Sequence, residues 1–188
     1  MLQYAFKEWA VICRALAEGR QAIILRKGGI AEEGRSFRVE HYRFWLYPTY
    51  LHQQRSGIQA AAVPLLQQAE AERPLAGIVR LTHFAEVAQV YHIADLETAL
   101  RLQHLHCWSE ETVRARFAYR QPGLFILAVR VFRAGQVHEL AETAEYAGCK
   151  SWVELERGLP TEGATGVLDT QSFDGALQVL RALGGIRT

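Results

Sequence analysis

A chain of 188 residues, 49% hydrophobic and 22% charged, is long enough for one full core and has the balance of an ordinary folded domain. That excludes a disordered or collagen-like chain, and a single domain over residues 1–188 is expected. The net charge of +1 hides an uneven distribution: residues 1–60 carry nine Lys or Arg against five Glu, and residues 134–163 carry two against six. Folding can therefore gather a basic face.

Phe6, Trp9, Ala10, Cys13 and Leu16 recur at spacings of three and four, which predicts a helix from Phe6 to Leu16 ended by Gly19. Ala22 to Leu25 reads as a buried strand meeting a Gly28-Gly29 turn, which puts Arg26 and Lys27 at a strand end. Ser36 to Val39 and Phe44 to Tyr47 read as further strands, the second stopped by Pro48, with Thr49 free to cap a turn or helix. Pro64 to Glu72 is a helix by composition, ended before Pro74. Gly77 to Tyr91 is rich in branched residues and predicts one long or two short strands.

Asp95 caps a helix carrying Leu96, Ala99, Leu100 and Leu102. Ser109 caps the next, with Glu110 and Glu111 opposing the helix dipole and Val113 and Phe117 turned inward. Leu124 to Phe132 is apolar on both alternating sets and predicts a central strand. Trp152, Val153 and Leu155 form a short strand after Gly148, Gly158 to Gly166 a loop, and Phe173 to Leu183 a closing helix before Gly184-Gly185.

The N-terminus lacks a basic-then-apolar export pattern, and no apolar run approaches the roughly 20 residues a bilayer span needs. Cys13, Cys107 and Cys149 are odd in number, far apart and without a CxxC pair, which points to a reducing cytoplasm. Gly28-Gly29 after Arg26-Lys27 is not a phosphate loop, because the Gly-x4-Gly-Lys-Ser/Thr order is absent. His104-Leu105-His106-Cys107 lacks a second ligand pair at zinc spacing, so no metal or cofactor is expected and solvated or capping histidines are the default for the seven present. Only Asp95, Asp169 and Asp174 occur, so an Asp, Glu-x-Lys nuclease site cannot be assembled around Lys27, and a variant with Glu8, Glu32 and Glu40 has no supporting pattern. No G-x-S-x-G elbow occurs either. Arg114, Arg116 and Arg120 interleaved with Phe117 and Tyr119 suit phosphate and base contacts, although Phe117 four residues after Val113 also fits a plain core helix.

Three sets of residues carry a family resemblance. Ala5 to Val11 with Leu25 to Ile30, Phe44 to Thr49 with His52-Gln53, and Tyr146 to Leu155 resemble a bacterial family known as domain of unknown function 1802. The resemblance covers about the whole chain and implies at most an association with restriction-modification genes. A looser likeness, in element order, is to the PUA-like barrels of the ASCH and EVE groups. It implies an α+β fold in which a small, curved, mostly antiparallel sheet closes toward a barrel with helices packed outside, and a cleft for RNA or modified bases lined by Arg26, Lys27 and Trp45 or Tyr47.

The leading expectation is a nucleic-acid or modified-nucleotide binding module. Arg26, Lys27, Arg116, Arg120 and Lys150 would take phosphates of RNA or DNA, Trp45, Tyr47, Tyr119 or Trp152 would stack a base, and His52 and Gln53 would read a base edge. A second expectation is a small hydrolase or nuclease with His41 or His52 as base, Glu40 or Glu8 as its partner and Lys27 stabilising developing charge. A third is a protein-interaction subunit, which predicts an exposed apolar patch in place of a polar cleft. No membrane partner and no particular oligomer are implied.

Overall fold

The computed structural model describes residues 1–27, 39–146, 148, 150–182 and 186–187. The Gly28-Gly29 turn, positions 36–38 of the predicted strand, Glu32, Cys149 and the Gly184-Gly185 stop lie outside the described residues. The elements run β1 (Leu2–Trp9), α1 (Ala10–Ala17), β2 (Ile23–Arg26), β3 (Arg43–Thr49), α2 (Val63–Ala71), β4 (Ile78–Ile93), α3 (Leu96–Arg101), α4 (Glu110–Ala118), β5 (Leu124–Ala141), β6 (Trp152–Leu159), β7 (Thr165–Gly166), α5 (Thr170–Ala182) and β8 (Ile186–Arg187). This is an α+β fold, and among the described residues no helix is long and apolar enough to cross a membrane.

The sheet is ordered β2-β5-β4-β3-β1-β6, with β7 beside β5 and β8 beside β4. Among the described residues every strand pairing is antiparallel except β1 with β3, which run parallel from Ala5↔Trp45 to Trp9↔Thr49. β4 and β5 are paired along almost their whole length, with register shifts at Leu81/His83 and Val87/Gln89. Such irregularities bend a ladder and increase its twist. The bent pair serves two cores. One end packs with β2 and the helices through Phe6, Phe44, Trp108, Phe117, Leu127 and Phe173. The other curls over β1, β3 and β6 through Trp45, Tyr47, Phe84, Val153 and Leu155. The outer strands β2 and β6 are tied by a side chain: Arg26 at the end of β2 donates to the Ser151 hydroxyl just before β6 and lies 4.6 Å over the Phe6 ring.

The fold corrects three sequence expectations, one being the Gly158 to Gly166 loop, where β6 runs on to Leu159 and β7 takes Thr165–Gly166 beside β5. The first half of the predicted Phe6–Leu16 helix is strand, because β1 has partners on both sides and that ladder outweighs the helical spacing of its apolar residues. Only Ala10–Ala17 is helical, and it ends in a Schellman arrangement: Gly19, at φ 68°, donates to Leu16 O and Arg20 to Ala15 O. Pro48 does not stop β3, which continues to Thr49. β3 loses its β4 partner after Trp45 and pairs beyond it with β1 alone, so Pro48 sits where one side of the ladder is already open.

The local expectations hold. Asp95 accepts from Thr98 N at 2.7 Å, Ser109 accepts from Thr112 N at 3.2 Å, Val113 and Phe117 are buried, and β5 is an interior strand. Of the His-Leu-His-Cys run, His104 is exposed while His106 is buried and accepts the Trp108 N–H at Nδ1, 3.2 Å away. Burial and the nearby Arg116 charge push the His106 pKa down to about 4.

Unfolded histidine titrates near 6.5, so the native state resists the proton that the unfolded chain accepts. The stabilisation is complete above that pH and is lost as pH falls toward 4, an effect of about 3 kcal/mol at full titration. His83, also lowered to about 4, acts in the same window. The urea midpoint is therefore expected to fall from pH 7 to pH 4, and His106→Gln to make the fall shallower; an unchanged pH profile in that variant would contradict the assignment.

Candidate functional site

Sequence reasoning singled out cations and rings that the fold distributes over several places. Lys27 lies at the C-terminal end of α4, where its ammonium donates to Phe117 O and Gly123 O, both at 2.9 Å, and to Gln121 O. The Phe117 carbonyl belongs to the negative end of the α4 dipole and the other two follow it, so Lys27 acts as a cap, and burial lowers its pKa. Arg116 lies 3.6 Å over the Trp108 ring and donates to Leu25 O at 3.4 Å; burial lowers its pKa while the Glu8 charge raises it. Arg26 is engaged at the seam of the sheet. Three donors expected to take phosphate thus already serve the protein's own carbonyls, hydroxyl and rings.

The expected stacking rings divide the same way. Trp45 is fully buried and its indole N–H donates to Leu2 O at 3.0 Å. Trp152 packs edge-on against Phe6, Phe44 and His41. His41 stacks on Tyr4 at 3.4 Å between ring centres, Glu40 is exposed, and Glu8 is buried with its carboxylate accepting the Trp9 N–H at 2.9 Å. Tyr119 and Arg120 are exposed beyond α4, the guanidinium 5.1 Å over the phenol. Lys27 and His41 do not share the cleft that His52 lines.

Three of the expected residues, Tyr47, His52 and Lys150, do line one cleft of about 510 Å³. It opens at the ends of β1 and β3. Because these strands are parallel, both leave the sheet at the same edge, one into α1 and the other into the Tyr50–Gln54 segment. Lys7 lines the cleft from β1, lying 5.5 Å over the Tyr47 ring and donating to Tyr146 O and, at 3.2 Å, to Gly148 O. The Tyr47 hydroxyl donates to Glu142 at 3.2 Å, and burial followed by the Glu142 charge raises its pKa. Arg73 lies 4.8 Å over the Tyr50 ring, whose pKa burial also raises. Lys150 and Arg73 have no carboxylate partner among the described residues. Glu142 is the one carboxylate among the described lining residues, against Lys7, Arg73, Arg80 and Lys150.

Lys7, Trp9, Tyr50, Arg73 and Arg80 were missed by sequence reasoning. Lys7 and Lys150 both fall inside the segments that carry the family resemblance, which was the available signal. The mouth of the cleft carries Leu51, Leu75 and Ile78, exposed at 70%, 83% and 37%. Exposed apolar side chains and charged ones thus line the same cleft. No group of three or more His, Cys, Asp or Glu suited to a metal occurs among the described residues.

Gln53 has a structural task beside the cleft. Its carbonyl accepts the Val11 N–H at 2.8 Å, supplying the side-chain cap that Trp9 does not give α1, and its amide donates to Glu70 at 2.6 Å. Gln53→Ala is expected to lower stability by about 1 kcal/mol in chemical denaturation. An unchanged midpoint would show that water replaces the cap.

Residues 5–178 match the profile of a family described as "Domain of unknown function (DUF1802)". No curated protein matches the chain. Among solved structures, the chain is similar to the crystal structure of ASCH from Zymomonas mobilis, at 14% identity and a TM-score of 0.46, covering 98% of this chain and 95% of that one. A mutant of the Zymomonas mobilis protein gives 12% identity and a TM-score of 0.48 over 94% of each chain.

Proposed function

The chain belongs to the DUF1802 family, whose description carries no activity, and we propose that it is a nucleic-acid or modified-nucleotide binding module with its ligand in the cleft at the ends of β1 and β3. One observation carries the reading: Arg73, Arg80 and Lys150 converge with Trp9, Tyr50 and His52 around about 510 Å³, over a floor of Lys7 and the buried Tyr47 and with one carboxylate. Cations of this kind take phosphates, and neighbouring rings take the flat faces of bases whatever their sequence. The volume falls in the range of small-ligand sites, roughly 300–1,000 Å³. Tyr47 is 1% exposed and forms the floor, its hydroxyl held by Glu142, whereas the Arg73–Tyr50 pair offers a cationic plane nearer solvent. The apolar rim of Leu51, Leu75 and Ile78 suits the face of a base or sugar. Of the residues singled out from sequence, His52 and Lys150 keep their ligand roles, and Tyr47 supports the floor of the cleft. A link to restriction-modification would make a modified base the ligand and rests on the family resemblance alone.

Fluorescence anisotropy with labelled single-stranded RNA and DNA, at several salt concentrations, tests this. Affinity is expected to fall linearly with log salt, and Lys150→Ala or Arg73→Ala to weaken binding three- to tenfold, with a slope shallower by about 0.7 per lost phosphate contact. Arg120→Ala, beyond α4, is expected to change neither. Absence of binding at low salt, or an effect of Arg120→Ala as large as that of Lys150→Ala, would refute the assignment of the cleft.

A further inference from the structure

We infer that the ligand is a single strand several nucleotides long, lying across two joined cavities, and not a free nucleotide. The inference rests on the reading of the β1–β3 cleft as a nucleic-acid site. A second and larger cavity, of about 740 Å³, adjoins that cleft. Pro48, Tyr50, Pro74 and Arg80 line both, so the two cavities meet at these residues, the waist of the path inferred for the strand. Either volume is ample for one small ligand, so the pair exceeds what a mononucleotide fills.

The charges are spread along that path. Lys7, Arg73 and Lys150 lie in the first cavity, Arg80 at the waist and Arg133 in the second. A site for one phosphate gathers its cations at a point, whereas a strand presents phosphates in series and needs them in a row. Arg80 engages Glu139 through Nε and Nη2, at 2.8 and 2.7 Å, which leaves Nη1 of its guanidinium for a second anion. In the second cavity Arg14 is neutralised by Glu18 and Glu72, at 2.9 and 2.7 Å, and adds little attraction. Arg133 is exposed and has no carboxylate partner among the described residues, so the far phosphate falls to it.

The wall beside Arg133 is polar but uncharged. His83 has Nδ1 2.8 Å from the Thr82 hydroxyl, and burial and the Arg133 charge keep its ring neutral at pH 7. A neutral imidazole and a hydroxyl provide hydrogen bonds to a sugar or base edge without adding charge. Tyr50 and Arg80, at the waist, are the residues a strand must cross to occupy both cavities.

The test is a length series. Labelled oligouridylates and oligothymidylates of two, four, eight and twelve nucleotides are titrated by anisotropy, with uridine and thymidine monophosphate as competitors. Affinity is expected to rise by more than tenfold from the dinucleotide to the octamer and then to level off, in keeping with the roughly 4–16 nucleotides that comparable grooves cover. Arg133→Ala is expected to lower the octamer-to-dinucleotide affinity ratio three- to tenfold and to make the octamer's salt slope shallower by about 0.7. Arg133→Glu should exceed both effects, and circular dichroism confirms that each variant is folded. The uridylate and thymidylate arms report whether the sugar is read.

Competition by a monophosphate as effective as that by the octamer would overturn the inference while leaving the cleft assignment intact. An octamer affinity and salt slope untouched by both Arg133 variants would do the same. No binding by any of these ligands at low salt would overturn the assignment and the inference together.

Discussion

The parallel pairing of β1 with β3 is the constraint on which the rest of the molecule depends. In a sheet whose other pairings are antiparallel, it brings two strand ends to one edge and sends the chain away from that edge in two directions. Antiparallel neighbours would have been joined by a turn and filled the space. Here the space is a cleft, floored by Tyr47 and Lys7 and walled by the segments after β3 and before β4. The logic is that of ligand crevices at the carboxyl ends of parallel strands, reached by a different topology.

A second organising effect is the internal use of positive charge. Burying a cation without partners is costly, and each half-buried cation near β2 has its cost offset by carbonyls or ring faces. Lys27 caps α4, Arg116 lies on Trp108, and Arg26 ties the two outer strands of the sheet across Phe6. These contacts hold the helical layer to the curved sheet. They also engage internally the cations that a linear reading marks as the best candidates for binding.

What the sequence made legible was what local interactions decide. The Asp95 and Ser109 caps act over three residues, the inward placement of Val113 and Phe117 follows the helical repeat, and Leu124 to Phe132 is apolar enough to be interior in any arrangement. The mixture of helix and strand followed from such pieces, whereas the mostly antiparallel sheet was an expectation from the likeness to the PUA-like barrels. β1 was illegible because its strand character comes from β3 and β6, distant in sequence, while its apolar spacing suits a helix. Pro48 misled for the related reason that its tolerance depends on where β4 stops pairing. The candidate site was half legible. Tyr47, His52 and Lys150 were identified by chemistry and family resemblance, whereas Arg73 and Arg80 join them only through the path of the chain into β4, and Gln53 is occupied as the cap of α1.

The central claim is a location: bases meet the rings at the end of the β1–β3 pair. Photo-crosslinking of a 4-thiouridine-containing single-stranded RNA, with mass spectrometry of the crosslinked peptides, reads that location directly. The account predicts crosslinks on Trp9 or Tyr50. Crosslinks confined to the exposed rings of Tyr119 or Tyr42, on other parts of the surface, would contradict it.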